Sequence, residues 1–85
     1  GAAGNYAEVH TAARALLIDE SIASLAARLP AQAFARIHRA VIVRLDAIAE
    51  VRAGSHGDGA LRLTSGVELR ISRRYREAVW RYLGA

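Results

Sequence analysis

The chain has 85 residues and a net charge of +4, because 12 arginines outnumber 8 acidic residues and no lysine is present. This length holds one small domain. The absence of cysteine excludes disulfides and thiolate metal sites, and no apolar run reaches the roughly 18–20 residues of a membrane-spanning helix.

Two strands and a helix are predicted for the first third of the chain. Residues 5–11 alternate in polarity with a period of two, which is typical of a half-buried strand, and residues 13–18 are a second strand candidate. Residues 22–29 then repeat apolar side chains at helical spacing. Ser21 is the expected N-cap of this helix, and Pro30 is expected to end it.

The rest of the chain predicts five more strands and a second helix. The strand candidates are residues 34–38, 41–45, 47–53, 60–64 and 67–71. A glycine-rich turn at residues 54–59 and a tight turn at Ser65-Gly66 separate the last three strands. Ser72 is the expected N-cap of a final helix over residues 73–83. The chain is therefore expected to be mainly β with two helices.

Two basic segments carry the strongest functional signal. Residues 34–46 and residues 71–76 each set arginines beside an apolar strand-like run, where the chain is about to turn or change period. A basic side chain at a strand end projects from a rigid base, and this placement suits contact with a nucleic-acid groove. The positive total also favours a polyanionic partner. A GC-rich genome would itself favour arginine over lysine, but it does not explain the excess of positive charge.

An ordered set of motifs runs along nearly the whole chain. Its members are Gly4-Asn5-Tyr6, Leu29-Pro30, Phe34-Ala35-Arg36-Ile37-His38-Arg39, Leu45-Asp46, Gly66 and Ile71-Ser72-Arg73-Arg74-Tyr75. Each motif is weak alone, but the ordered set is fairly specific, and it resembles the LytTR family of bacterial DNA-binding domains. The resemblance implies three small antiparallel β-sheets, stacked end to end with two helices. It also implies DNA contact through loops rather than through a recognition helix.

The resemblance also implies partners and a setting. LytTR domains usually follow a phosphorylatable receiver domain in response regulators, or a membrane sensor, and they bind direct repeats in promoters. We therefore expect double-stranded DNA as the partner, an upstream receiver or sensor domain outside this chain, and a cytoplasmic bacterial protein that regulates transcription. No cofactor and no enzymatic activity are expected, because the three histidines lack metal-ligand spacing and no catalytic constellation is visible.

The residues expected to contact DNA lie on loops and at strand or helix ends. They are Asn5, Tyr6, His38, Arg39, Arg73, Arg74 and Arg76. Arg39 and Arg73 are expected to read bases, whereas Arg76 is expected to contact phosphate. The alternatives are solvated turns for the arginines, partly buried packing for Tyr6, and a hydrogen bond that holds the loop for His38.

The chain also departs from the family pattern. Only three residues precede Gly4-Asn5-Tyr6, so residues 1–85 are expected to be an N-terminally truncated LytTR-like domain whose first strands are missing. An open sheet edge would then favour pairing with a second copy, which predicts a homodimer. Ala40 and Arg44 stand where the family usually has polar residues, and these positions bear on sequence preference more than on affinity.

A protein-interaction or dimerisation module with incidental basic charge is the alternative function. Salt separates the two possibilities, because DNA binding through several phosphates weakens steeply as salt rises. Apolar association does not show this dependence.

Overall fold

The computed structural model describes residues 6–84, which form seven strands and two helices. In chain order the elements are β1 (Ala7–His10), β2 (Ala15–Ile18), α1 (Ile22–Arg28), β3 (Phe34–His38), β4 (Val41–Arg44), β5 (Ile48–Ala53), β6 (Gly59–Leu63), β7 (Glu68–Ile71) and α2 (Arg76–Tyr82). Two 3-10 turns, Leu45–Ala47 and Arg73–Tyr75, precede β5 and α2. The prediction of a mainly β chain with two helices is confirmed.

The strands form two sheets. Sheet A has the order β2-β1-β4-β3, and sheet B has the order β5-β6-β7. In sheet A, β1 pairs antiparallel with β2, and β3 pairs antiparallel with β4, but β1 runs parallel to β4 with Val9 opposite Ile42. Strand β2, helix α1 and strand β3 lie between β1 and β4 in the chain and supply the long connection that a parallel pair needs.

The sheet arrangement corrects two details of the expected fold. The parallel β1–β4 pairing merges two hairpins into one four-stranded sheet, so the described residues hold two sheets where three were expected. The same pairing makes sheet A mixed, whereas antiparallel sheets were expected. Pairing between strands that are distant in the chain has no local sequence signal, which is why the merger could not be predicted.

Sheet A is packed on both faces. One face packs against α1 through the buried residues Ala7, Val9, Leu25 and Ile42. The other face packs against sheet B and α2 through a second group of buried residues, which includes Ile37, Val43, Leu61, Ile71 and Val79. Burial of apolar surface contributes about 25 cal/mol per Å². Because this second group includes Ile37 of β3, Ile71 of β7 and Val79 of α2, its burial stabilises the packing of β3 against β7 and α2.

The helix ends follow the sequence signals in part. Ser21 caps α1 as predicted, because its Oγ accepts a hydrogen bond from the Ser24 backbone N–H at 3.2 Å. The final helix begins at Arg76, since residues 73–75 form a 3-10 turn. Ser72 occupies the N-cap position of this 3-10 turn, not of α2, and its side chain makes no cap hydrogen bond. Its backbone N–H donates to Ile37 O at 2.8 Å. In residues 6–84 no helix is long and apolar enough to cross a membrane.

Candidate nucleic-acid interface

The 12 arginines fall into two groups, those with a carboxylate within ion-pair distance and those without one. Five lie within 4.0 Å of an acidic side chain: Arg28, Arg44, Arg52, Arg70 and Arg81. Within residues 6–84, the other seven have no carboxylate at that distance: Arg14, Arg36, Arg39, Arg62, Arg73, Arg74 and Arg76. Five of these seven come from the two basic segments, and we call them the arginine patch: Arg36, Arg39, Arg73, Arg74 and Arg76.

The fold brings the two basic segments to one end of the molecule. The hydrogen bond from Ser72 N–H to Ile37 O ties the start of the Arg73–Tyr75 turn to β3. The guanidinium carbon of Arg36 lies 4.6 Å from the centre of the Tyr75 ring. The β3–β4 turn at residues 39–40 and the Arg73–Tyr75 turn are therefore neighbours, although they are distant in the chain.

The start of β1 lies at the same end. Because β1 runs parallel to β4, the Glu8 backbone N–H donates to Ala40 O at 2.9 Å. Tyr6, directly before β1, is 44% exposed, which places its side chain largely on the surface. Asn5 lies outside the described residues. The structure thus brings Tyr6 close to the β3–β4 turn that carries Arg39.

His38 holds the β3–β4 turn through one ring nitrogen. Its Nδ1 accepts a hydrogen bond from the Ala40 backbone N–H at 3.3 Å. A ring nitrogen that accepts a hydrogen bond carries no proton, so the neutral ring has its proton on Nε2. His38 therefore makes the hydrogen bond that was considered as the alternative to DNA contact, and it holds the turn. Its Nε2–H remains able to donate a hydrogen bond to a phosphate oxygen.

Arg39 and Arg74 present their guanidinium groups differently. Arg39 is exposed, and within the described residues its side chain makes no hydrogen bond or ion pair. Arg74 is also exposed, but its guanidinium carbon lies 5.7 Å from the centre of the Tyr75 ring. The Arg39 side chain can therefore change its conformation to contact a ligand, whereas the contact with the Tyr75 ring restricts the side chain of Arg74.

The β5–β6 loop contacts the other two exposed arginines of the patch. Nη1 of Arg76 donates to Gly57 O at 2.9 Å. Arg73 passes beside the same residue, with its Cδ 2.9 Å from the position that a Cβ on Gly57 would take. The sequence identified residues 54–59 only as a turn, yet this loop helps to place Arg73 and Arg76.

Arg36 is a member of the patch that was not predicted as a site residue. It is only partly exposed, and its guanidinium donates to the carbonyl oxygens of His38 and Arg39 at 3.2 and 2.7 Å. The motif from Phe34 to Arg39 was the only signal for it in the sequence. Its contact with Tyr75 depends on tertiary structure and has no counterpart in local sequence.

The chemistry of this end suits a polyanion. Guanidinium groups bind phosphate oxygens and guanine edges with two parallel hydrogen bonds. A surface cleft of about 600 Å³ is lined by Arg73, Arg74, Arg76, Glu77 and Trp80, so three arginines face one carboxylate there. Glu77 is itself paired with Arg81 at 3.5 Å. Among residues 6–84 no group of three or more His, Cys, Asp or Glu side chains is placed to hold a metal ion.

Comparisons with known proteins agree with this geometry. The family model for the LytTr DNA-binding domain, LytTR, matches residues 1–84. Among solved structures, the chain resembles a LytTr DNA-binding domain from Bacillus cereus, described as part of a methyl-accepting/DNA response regulator, with 24% identity and a TM-score of 0.73. The match covers 85% of this chain and 66% of that chain, slightly under two thirds, and at this identity it shows the fold alone. A search of the curated proteins gives no significant match.

Proposed function

Because this chain belongs to the LytTR family of DNA-binding domains, we propose that it binds promoter DNA through the arginine patch. The observation that carries the proposal is the convergence of five arginines, none of them within ion-pair distance of a carboxylate in the described residues, from two separate segments. Five other arginines, by contrast, each lie within ion-pair distance of a carboxylate. Unneutralised charge gathered at one end favours a ligand that brings its own negative charge.

In the proposed mechanism, some of the exposed arginines contact phosphates and fix the position of the domain on DNA, and others contact bases and recognise the sequence. Arg76 is held by the Gly57 carbonyl, which suits a fixed phosphate contact that sets register. Arg39 and Arg73 lie on turns, and they read base edges in the major groove at separate positions. Arg74 adds a contact beside Tyr75.

The start of β1 and His38 complete the proposed interface. Nε2 of His38 donates to a phosphate next to the β3–β4 turn, while Nδ1 keeps its hydrogen bond to Ala40. Tyr6, exposed directly before β1, contacts the DNA sugar-phosphate backbone on the same side. Asn5, which lies outside the described residues, stays a DNA contact predicted from the sequence. These contacts fix orientation and carry no sequence information of their own.

We place the domain in a bacterial transcription regulator. The Bacillus cereus relative is described as part of a response regulator. By analogy, this chain serves as the output domain of a two-component system in the bacterial cytoplasm, with a receiver or sensor domain upstream. The expected DNA target is a direct repeat, as in the family.

The test is the selection of bound duplexes from a random DNA pool with this chain as bait. The expected result is enrichment of one short motif that appears twice in the same orientation. A matched selection with the Arg39→Ala, Arg73→Ala double variant is expected to lose the motif. Failure of the unsubstituted chain to enrich any motif contradicts the proposal and favours the interaction-module alternative.

A second property, self-association, is proposed from the edge of sheet A. Strand β2 is one of the two edges of sheet A within the described residues, and it carries no charge or proline to discourage pairing. The other edge strand, β3, receives the hydrogen bond from Ser72 N–H at Ile37 O. Leu17 on β2 is 69% exposed. We therefore propose a homodimer built on β2.

A further inference from the structure

Arg36 holds the β3–β4 turn from within. Its Nε donates to His38 O at 3.2 Å, and its Nη2 donates to Arg39 O at 2.7 Å. Both acceptors are backbone carbonyls at the end of β3, where the register with β4 shifts by a residue between Arg36 and His38. One side chain therefore fixes the two peptide groups from which Arg39 projects.

The same guanidinium also contacts the second basic segment. Its centre lies 4.6 Å from the centre of the Tyr75 ring, a separation at which cation and ring attract each other. Tyr75 is the last residue of the Arg73–Tyr75 turn, and Arg74 approaches the same ring at 5.7 Å. Arg36 is thus in direct contact with both segments that carry the exposed arginines of the patch.

We propose that Arg36 is a positioning residue that sets the spacing between the β3–β4 turn and the Arg73–Tyr75 turn. The inference rests on the proposed DNA-binding function and extends it to a residue behind the interface. Two base-reading groups on separate turns recognise one sequence only if the distance between them is fixed. The bond from Ser72 to Ile37 and the buried core hold β3 against β7 and α2, and the Arg36–Tyr75 contact joins the two turns themselves, at the surface from which the exposed arginines project.

The geometry requires arginine at this position. A planar guanidinium donates in its plane to two carbonyls while its face covers an aromatic ring. A lysine ammonium carries the same charge but cannot do both at once. Arg36→Lys therefore separates positioning from charge, since a simple phosphate contact would survive the substitution.

The experiment compares binding of a duplex selected from a random pool with binding of a scrambled duplex. For Arg36→Lys, the preference for the selected duplex is expected to fall about tenfold, the size of one lost base contact. Affinity for the scrambled duplex and its salt dependence are expected to stay unchanged. Arg14→Lys is the matched control, because Arg14 is an exposed arginine without a carboxylate partner in the described residues, in the β1–β2 turn at the far end of sheet A.

Substitutions of Tyr75 test the Arg36–Tyr75 contact from its other side, because they leave the hydrogen bonds from Arg36 to the His38 and Arg39 carbonyls in place. Tyr75→Phe keeps the ring and is expected to keep the preference, whereas Tyr75→Leu is expected to lose it as Arg36→Lys does. The double variant of Arg36→Lys and Tyr75→Leu is expected to lose little more than either single variant, because both remove the same contact. If Arg36→Lys does not fold, as judged by circular dichroism, the Tyr75 pair is compared in an Arg74→Ala background, because Tyr75→Leu also removes the Arg74–Tyr75 contact.

Two results would overturn the inference. One is full preference in Tyr75→Leu, and the other is an Arg36→Lys variant whose two duplex affinities fall together. A DNA-free readout separates this inference from the proposed function. Arg36→Lys is expected to move the backbone amide resonances of residues 73–75 as well as those of residues 39–40. A chain that shows this coupling but selects no duplex would refute DNA recognition and leave the coupling intact.

Discussion

Gly57 allows a direct test of how the β5–β6 loop places the arginine patch. Its φ is 83°, and a Cβ added there would lie 2.8 Å from Nη1 of Arg76 and 2.9 Å from Cδ of Arg73. Gly66 has a similar φ of 95°, but nothing lies within 4 Å of its added Cβ. Gly57→Ala and Gly66→Ala therefore impose the same kind of backbone strain, and only the first displaces arginines.

The magnitudes follow from this difference. Each alanine in the left-handed region costs roughly 1–2 kcal/mol of folding free energy. The atoms that meet the new Cβ at Gly57 belong to flexible side chains, which can move away, so the two variants are expected to unfold with similar losses. A domain stable by about 5–15 kcal/mol remains folded after either change. The displaced Arg73 and Arg76 are expected to weaken DNA binding by about 1–3 kcal/mol in Gly57→Ala alone.

The assays are urea unfolding and fluorescence anisotropy with a selected duplex. The expected outcome is that both variants lose similar stability, while only Gly57→Ala loses affinity, by roughly tenfold or more. Equal DNA affinities for the two variants would refute the idea that the loop places Arg73 and Arg76. A much larger stability loss at Gly57 would show that the two side chains cannot move aside as assumed.

Three further outcomes are expected. Arg39→Ala should weaken binding of the selected duplex by about 1–3 kcal/mol and relax preference at one base position, whereas Arg76→Ala should weaken selected and random duplexes alike in an anisotropy titration. A hydrogen bond from Arg52 lowers the pKa of Glu68, so the stability from this pair is present above the ordinary glutamate pKa and is lost as pH falls through the lowered folded value. Urea unfolding of Glu68→Gln should therefore show a flatter loss of stability in acid, a small effect because the pair is exposed. Leu17→Lys should shift light scattering toward monomer, and an unchanged mass would contradict pairing through β2.

Local signals in the sequence were sufficient for most of the elements. The turn at Ser65-Gly66 formed as predicted, because glycine accepts the positive φ that the hairpin needs. The β-branched run at residues 41–43 lies in β4, and Pro30 follows the end of α1. These outcomes depend on a few neighbouring residues, and a single sequence contains that information.

The relations between distant segments could not be predicted in the same way. The parallel pairing of β1 with β4 joins strands about 30 residues apart, and both strands share a buried cluster with α1. The sequence predicts a final helix that starts at residue 73, but residues 73–75 form a 3-10 turn and α2 starts at Arg76. The residue before this turn, Ser72, is hydrogen-bonded to Ile37 of β3, a contact that no local pattern indicates. The two basic segments were identified from the sequence, yet nothing local indicated that Arg36 would join them through Tyr75.

The salt dependence of DNA binding tests the central claim most directly. If the four exposed arginines of the patch, with at most one more group, each bring their charge beside a phosphate, two of them while also reading base edges, about 4–5 counterions are released and log affinity falls against log salt with a slope of roughly −4. Anisotropy titrations of this chain on one duplex, at salt concentrations from about 50 to 200 mM, measure the slope. The account predicts a value near −4, which shrinks by about 0.9 for each of the four exposed patch arginines replaced by alanine. A slope near zero would contradict DNA binding through the arginine patch.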